Sequence, residues 1–192
     1  MGIKKFTLEY VAKLKYYLDA IDGDAVGEIH RAIEDAAAAK AKVFVLGNGG
    51  SAATASHFVN DIGAGLRRRN LLNVDISSLA DNTPVCTAIS NDIGYENIFY
   101  MQLAGILKKE DLVIAISCSG NSPNIVKAVQ YAREVGAKVV GLTGFDGGAL
   151  KKLSHINFHV DAPAGEYGLV EDVHMILDHI LHSYYISKSQ KK

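Results

Sequence analysis

The apolar positions of this chain follow one rhythm up to residue 40 and another after it. Over residues 4–21 they recur at helical spacing, with Phe6, Tyr10, Val11, Leu14, Tyr17 and Leu18 on one stripe, which predicts an amphipathic helix. Asp22-Gly23-Asp24 breaks the pattern, and a second helix is predicted over 25–40. Its alanine-rich end suits close contact with another helix or subunit. From residue 42 onward the pattern becomes short apolar runs, at 42–47, 73–78, 111–117, 138–143 and 156–160. Helical patterns at 51–66, about 83–107, 122–136, 146–153 and 168–187 separate most of them. Strands alternating with helices predict a parallel sheet covered on both faces, hence an α/β fold built as a three-layer sandwich. Residues 1–192 read as a single domain without a linker, repeat or low-complexity segment, and the basic tail at 188–192 reads as a frayed end.

Composition narrows the partners more than the chemistry. The chain is 48% hydrophobic and 21% charged, the balance of an ordinary soluble domain. Lys+Arg number 20 against Asp+Glu 21, so no general electrostatic pull toward nucleic acid or anionic membrane is expected. No apolar run reaches the length of a bilayer span, and the N-terminal residues show no signal-peptide pattern. Cys86 and Cys118 stand far apart and outside any CxxC arrangement, which points to free thiols in a reducing compartment, the cytoplasm.

Two loops fall where parallel sheets bind ligands, just beyond the carboxyl ends of predicted strands. After 111–117 comes a turn in which Ser117, Ser119 and Ser122 surround Gly120 and Asn121, with Pro123 placed as the first residue of a helix. Hydroxyls and unpaired N–H groups at the positive end of a helix dipole suit a phosphate. Capping of the next helix would account for Ser122 alone, but not for three serines around one turn. After 42–47 comes GNGGSA, in which Gly47, Gly49 and Gly50 permit tight backbone turns and Ser51 is placed to cap a helix. It matches neither the Walker loop nor the dinucleotide fingerprint.

The titratable residues leave alternatives open. His57 and Asp61, at i and i+4, fit one metal ion, an acid–base pair, or an ordinary pair contributing a few tenths of a kcal/mol (~0.3) to a helix. Along 168–187 lie Glu171, Asp172, His174, Asp178, His179 and His182. Spacing nominates Glu171 with His174, or His179 with His182; it does not join Glu171 to His179, about 12 Å apart along an ideal axis. SNDIGYEN at 90–97 is polar and lies between two helical patterns, with Asn91 and Asp92 suited to capping the next helix or to bonding sugar hydroxyls, and Arg67-Arg68-Arg69 is suited to closing a helix. Cys118 reads as a packing residue, not a catalytic thiolate.

GNGGSAATASHFVND, NDIGYE, SCSGNSPNI and EDVHMILDHIL, in that order, resemble the phosphoheptose isomerases of the sugar isomerase (SIS) domain family. The resemblance covers about three quarters of the chain and implies a five-stranded parallel sheet in an αβα sandwich. It further implies a homotetramer with active sites between subunits, and conversion of sedoheptulose 7-phosphate to D-glycero-D-manno-heptose 7-phosphate. By motif position it puts Asn48, Gly49, Gly50 and Ser51 beside the sugar with Asn91 and Asp92, and Ser117, Cys118, Ser119 and Ser122 around the phosphate. His57, Asp61, Glu171 and His179 fall at the positions of zinc ligands and the acid–base pair, with Asp61 and His179 catalytic and Asp61 and Glu171 also facing substrate. The family usually has Glu at the position of Asp61, Gln at that of Glu171 and Thr at that of Cys118. These departures leave room for another sugar phosphate. The same family includes non-catalytic sugar-phosphate sensors and protein-binding scaffolds, in which the acid–base set is degraded.

Overall fold

The computed structural model describes residues 1–189. Helices α1 (Ile3–Asp19) and α2 (Gly23–Ala38) meet at Asp22, whose carboxylate accepts from the backbone N–H groups of Asp24 and Ala25 at 2.9 and 3.2 Å. That bond satisfies N–H groups the helix leaves unpaired and fixes where α2 begins. Five strands follow: β1 (Lys42–Gly47), β2 (Asp75–Ser78), β3 (Leu112–Ser117), β4 (Lys138–Gly144) and β5 (Ile156–Val160). All pair in parallel in the order β2-β1-β3-β4-β5.

Side chains alternate across this sheet, so each strand feeds two cores. Val43, Val45, Ile114, Ile116, Val140 and Leu142 pack on α2, on α3 (Gly50–Phe58) and on α8 (Tyr167–Ser189). Phe44, Leu46, Val113, Ala115 and Val139 pack the opposite way, against α6 (Pro123–Val135) and Leu150 of α7 (Gly148–Leu153). The three-layer expectation holds. Ile114 lies on the middle strand with no exposed surface. Ile114→Ala is expected to cost about 2–5 kcal/mol, lowering the thermal midpoint by roughly 4–20 °C, as measured by calorimetry and urea titration.

Three predicted helices and one strand differ. The segment 83–107 is not one helix: α4 (Thr83–Ile93) ends at Gly94, whose φ of +99° an L-residue rarely adopts, and a 3-10 turn (Tyr95–Asn97) and α5 (Tyr100–Leu103) follow. Asn91 and Asp92 therefore lie in the last turn of α4 and cap nothing. The pattern at 51–66 divides into α3 and a π-helical stretch, Val59–Gly65. The helix expected from 146 starts at Gly148, and the strand expected from 73 starts at Asp75. At the far end α8 carries Lys188 and Ser189 in helix, not frayed, and residues 190–192 of the expected tail lie outside the described residues. No helix among the described residues is long and apolar enough to cross a membrane.

Candidate active site

In this strand order the chain leaves β1 and β3 toward opposite faces of the sheet, which opens a crevice between their carboxyl ends. Both motif loops emerge there, since Gly47 pairs with Ile116 at the ends of β1 and β3. A cleft of about 170 Å³ is lined by Asn48 and Ser51 from one side and Ser117, Cys118, Ser119 and Ser122 from the other, with Tyr167 and Glu171 of α8 closing it. Larger cavities lie elsewhere on the surface, but their walls do not gather such a convergent set of hydroxyls.

The serine loop is held by its own backbone. Gly120 takes a φ of +63°, and its N–H donates to the Ser117 carbonyl and hydroxyl, both at 3.1 Å. Ser119 Oγ accepts from the Asn121 N–H at 3.3 Å. Ser122 is the N-cap of α6 by position, yet its side chain makes no capping bond; its Oγ lies 3.4 Å from Ser117 Oγ. The capping explanation for Ser122 is thus removed, and two hydroxyls face one spot. Pro123 stands at the start of α6 as predicted. Ser51 does not cap α3: the N-cap is Gly49, with φ +55°, and Ser51 is buried one residue inside the helix. Burial, reinforced by the Glu171 carboxylate, pushes the Cys118 thiol up to about 11, so it remains a thiol at neutral pH.

Asn48 is fixed by a network that the sequence did not reveal. Its amide donates to Asn124 Oδ1 at 2.9 Å, and Asn124 returns a bond to Asn48 Oδ1 at 2.8 Å. Tyr95 OH donates to that same oxygen at 2.8 Å. Asn124 is buried on the first turn of α6, so the amide pair ties the glycine loop to the serine loop. Tyr95, Asn124 and Tyr167 are site residues that spacing alone could not have found.

A second cluster forms where the junction of α3 and the π-helical stretch meets α8. His57 Nε2 lies 3.1 Å from His179 Nε2, 3.5 Å from Asp61 Oδ2 and 3.7 Å from Asp178 Oδ2. His182 Nδ1 lies 3.3 Å from the same Asp61 oxygen. A π-helical bulge of this kind often accompanies function. Burial, and then the neighbouring Asp61 charge, push the Asp178 carboxyl up to about 8.

The donor atoms of His57, Asp61, Asp178 and His179 all lie within 4.8 Å of one another, so this group fits a metal ion. Glu171 does not join it. It sits two turns earlier on α8, its carboxylate packed against Gly50 at the start of α3, and burial followed by the Asp172 charge raises its pKa. His174, the spacing partner of Glu171, is fully buried on the sheet side and donates from Nε2 to the Thr143 carbonyl at 3.2 Å. Its burial lowers its pKa to about 4, which keeps it neutral and structural. Asn91 and Asp92 are exposed, bond to each other at 2.9 Å and do not line the serine cleft.

The sequence model described as the SIS domain matches residues 9–144. A phosphoheptose isomerase of Helicobacter pylori is 35% identical over 179 residues, spanning 93% of this chain and 91% of its own. One from Aliarcobacter butzleri is 39% identical over 142 residues, 73% of this chain and 72% of its own. Among solved structures, a phosphoheptose isomerase from Neisseria gonorrhoeae superposes with a TM-score of 0.85 at 25% identity, over 97% of this chain and 100% of the other.

Proposed function

The chain belongs to the SIS domain family, and from that premise we propose that it is a sugar-phosphate isomerase, converting sedoheptulose 7-phosphate to D-glycero-D-manno-heptose 7-phosphate. The observation that carries this reading is the pairing on α8 of a hydroxyl-lined cleft with a His/Asp cluster. Glu171 and His179 lie about 12 Å apart along that helix. A seven-carbon sugar with a phosphate at one end is of that order of length.

In this proposal Ser117, Ser119 and Ser122, with the Cys118 backbone, hold the phosphate, while Asn48, Gly49, Gly50, Ser51 and Glu171 face the sugar. Asn91 and Asp92 belong to the proposed sugar contacts on resemblance alone. Asp61 removes a proton from C1 of the ketose as the C2 oxygen gains one, which gives the cis-enediol. His179 shuttles the proton between the two oxygens. O1 then loses its proton and C2 gains one, leaving the aldose. Energy from the remote phosphate orients the reacting carbons. His57, Asp61 and His179 would hold a zinc ion, which when bound would polarise the substrate carbonyl or organise these side chains.

We include in the proposal a cytoplasmic homotetramer with active sites between subunits. It draws support from the free thiols Cys86 and Cys118 and from α1, which exposes Ile3, Phe6, Leu8, Val11 and Tyr16 and has no buried residue. The scaffold reading is disfavoured because two histidines and two carboxylates remain gathered in one cluster.

Incubation of the purified protein with sedoheptulose 7-phosphate in deuterated water tests the reaction. NMR is expected to show aldoheptose phosphate carrying solvent deuterium at C2. Absence of product from folded protein that still binds sugar phosphate would transfer the assignment to another substrate or to a binding role.

A further inference from the structure

We propose that Asp178 is the fourth metal ligand of this chain, completing with His57, Asp61 and His179 a two-histidine, two-carboxylate centre that excludes Glu171. The inference deepens the isomerase reading by naming the ligand set, yet its test reads the metal directly. It can therefore fail while isomerase activity stands, and stand while that activity fails.

The distances match a metal shell. Four donors at about 2.0–2.1 Å from a tetrahedral zinc lie roughly 3.3–3.4 Å from one another. The three separations from His57 Nε2 are 3.1, 3.5 and 3.7 Å, to His179, Asp61 and Asp178. Two imidazole nitrogens at the first of these distances need either one N–H between them or a shared cation.

Asp178 selects the cation. Its side chain has no exposed surface, and neither carboxylate oxygen has a hydrogen-bond partner. A buried carboxyl group serving only the fold is ordinarily satisfied by N–H or O–H donors, because leaving it bare is costly. Here the carboxylate points at His57 and shares its surroundings with Asp61, a like charge. Two neutral imidazoles and two carboxylates balance a divalent ion, and the mixed nitrogen and oxygen donors suit zinc. His182 supplies the outer support, its Nδ1 3.3 Å from Asp61 Oδ2.

Glu171 cannot take that role without moving. It precedes Asp178 by seven residues, about 10 Å along α8, and its carboxylate is wedged on Gly50 beside the serine cleft. Asp178 is adjacent in sequence to His179, and α8 brings both to the face that meets His57.

The test uses full-length protein stripped with chelator and titrated with zinc by competition calorimetry, and with cobalt followed by visible absorption. The parent is expected to bind one ion per site with the intense absorption of four-coordinate cobalt. Outer-shell changes alone cost about 10–100-fold in affinity; Asp178→Asn removes a ligand and is expected to lose at least 100-fold and that absorption. Because it also removes a bare buried carboxylate, the same variant should melt no lower than the parent when metal-free. Glu171→Ala is expected to bind zinc within about threefold of the parent, as an outside residue should. A parent that binds no zinc, an Asp178→Asn variant that binds like the parent, or loss of zinc in Glu171→Ala would each overturn the assignment. Anomalous diffraction from zinc-loaded parent crystals gives an answer independent of any variant. Density bridging Asp178 Oδ2 supports it, and density bridging Glu171 with Asp178 outside the shell refutes it.

Discussion

Asp61→Asn is expected to lower turnover of sedoheptulose 7-phosphate by about 10²–10⁴-fold, the range removed with a positioned general base. The substitution keeps the size of the side chain and removes its capacity to take a proton. Asp61 Oδ1 accepts from the Asn60 amide at 2.7 Å, and Oδ2 faces His57 and His182, so the carboxylate is already held in place. Little reorganisation is then needed for it to act, which is why loss of charge should appear mainly in kcat. Asp61 also belongs to the metal group, so turnover is compared at equal, measured zinc content. Asp61→Glu supplies the counterpart: it keeps a base but moves it by one methylene, and displacements of about 1 Å can cost 10²-fold. The expected pattern is solvent deuterium at C2 retained by Asp61→Glu and lost by Asp61→Asn. Parent-like turnover in Asp61→Asn would remove the base from the mechanism.

The two halves of this site were not equally legible in the sequence. The serine loop was, because a turn between strand and helix is local: Gly120, Asn121 and Pro123 announce it within four residues, and the sheet order delivers it to the crevice. The same holds for β1, β3 and β4, whose continuous apolar runs reflect burial on both faces. The His/Asp cluster was only half legible. Spacing paired His57 with Asp61, but the meeting of that pair with α8 depends on the π-helical stretch that follows Phe58 and on how α3 packs against α8. No local pattern encodes either. Asp178 was passed over for the same reason, since its burial is decided by the partner helix. Asn124 and Tyr95 escaped notice because their roles run through Asn48, 76 and 47 residues away. The break inside 83–107 was announced by the polar stretch 90–97, but not its position at Gly94, because Asn91 and Asp92 continue α4 instead of capping the next helix.

Gly120→Ala is expected to destabilise the protein by about 2–4 kcal/mol and to raise KM for the sugar phosphate by at least about 100-fold, some 2.8 kcal/mol of binding. Gly120 sits at a φ of +63°, a conformation costing an L-residue roughly 1–2 kcal/mol. An added methyl would also drive into the Gly147 carbonyl, and that segment has little freedom to retreat. Leu150 N–H donates to the Gly120 carbonyl at 2.9 Å, Ala149 N–H to Asn121 Oδ1 at 3.0 Å, and Gly144 N–H to the Cys118 carbonyl at 2.9 Å. The methyl therefore has to push the serine loop toward the cleft, and all the phosphate contacts shift together. Ser122→Ala separates this from the loss of one hydroxyl. It should raise KM by about tenfold, because a single bond to a charged group is worth about 1.5–3 kcal/mol, and leave the thermal midpoint within about 2 °C. Thermal shift with saturating sugar phosphate reads both effects at once, since a ligand raises the midpoint only of protein that binds it. The parent and Ser122→Ala should gain stability on adding ligand, and Gly120→Ala should not. Were Gly120→Ala to keep the parent's midpoint and ligand response, the serine loop would be neither locked to the loop after β4 nor the seat of the phosphate.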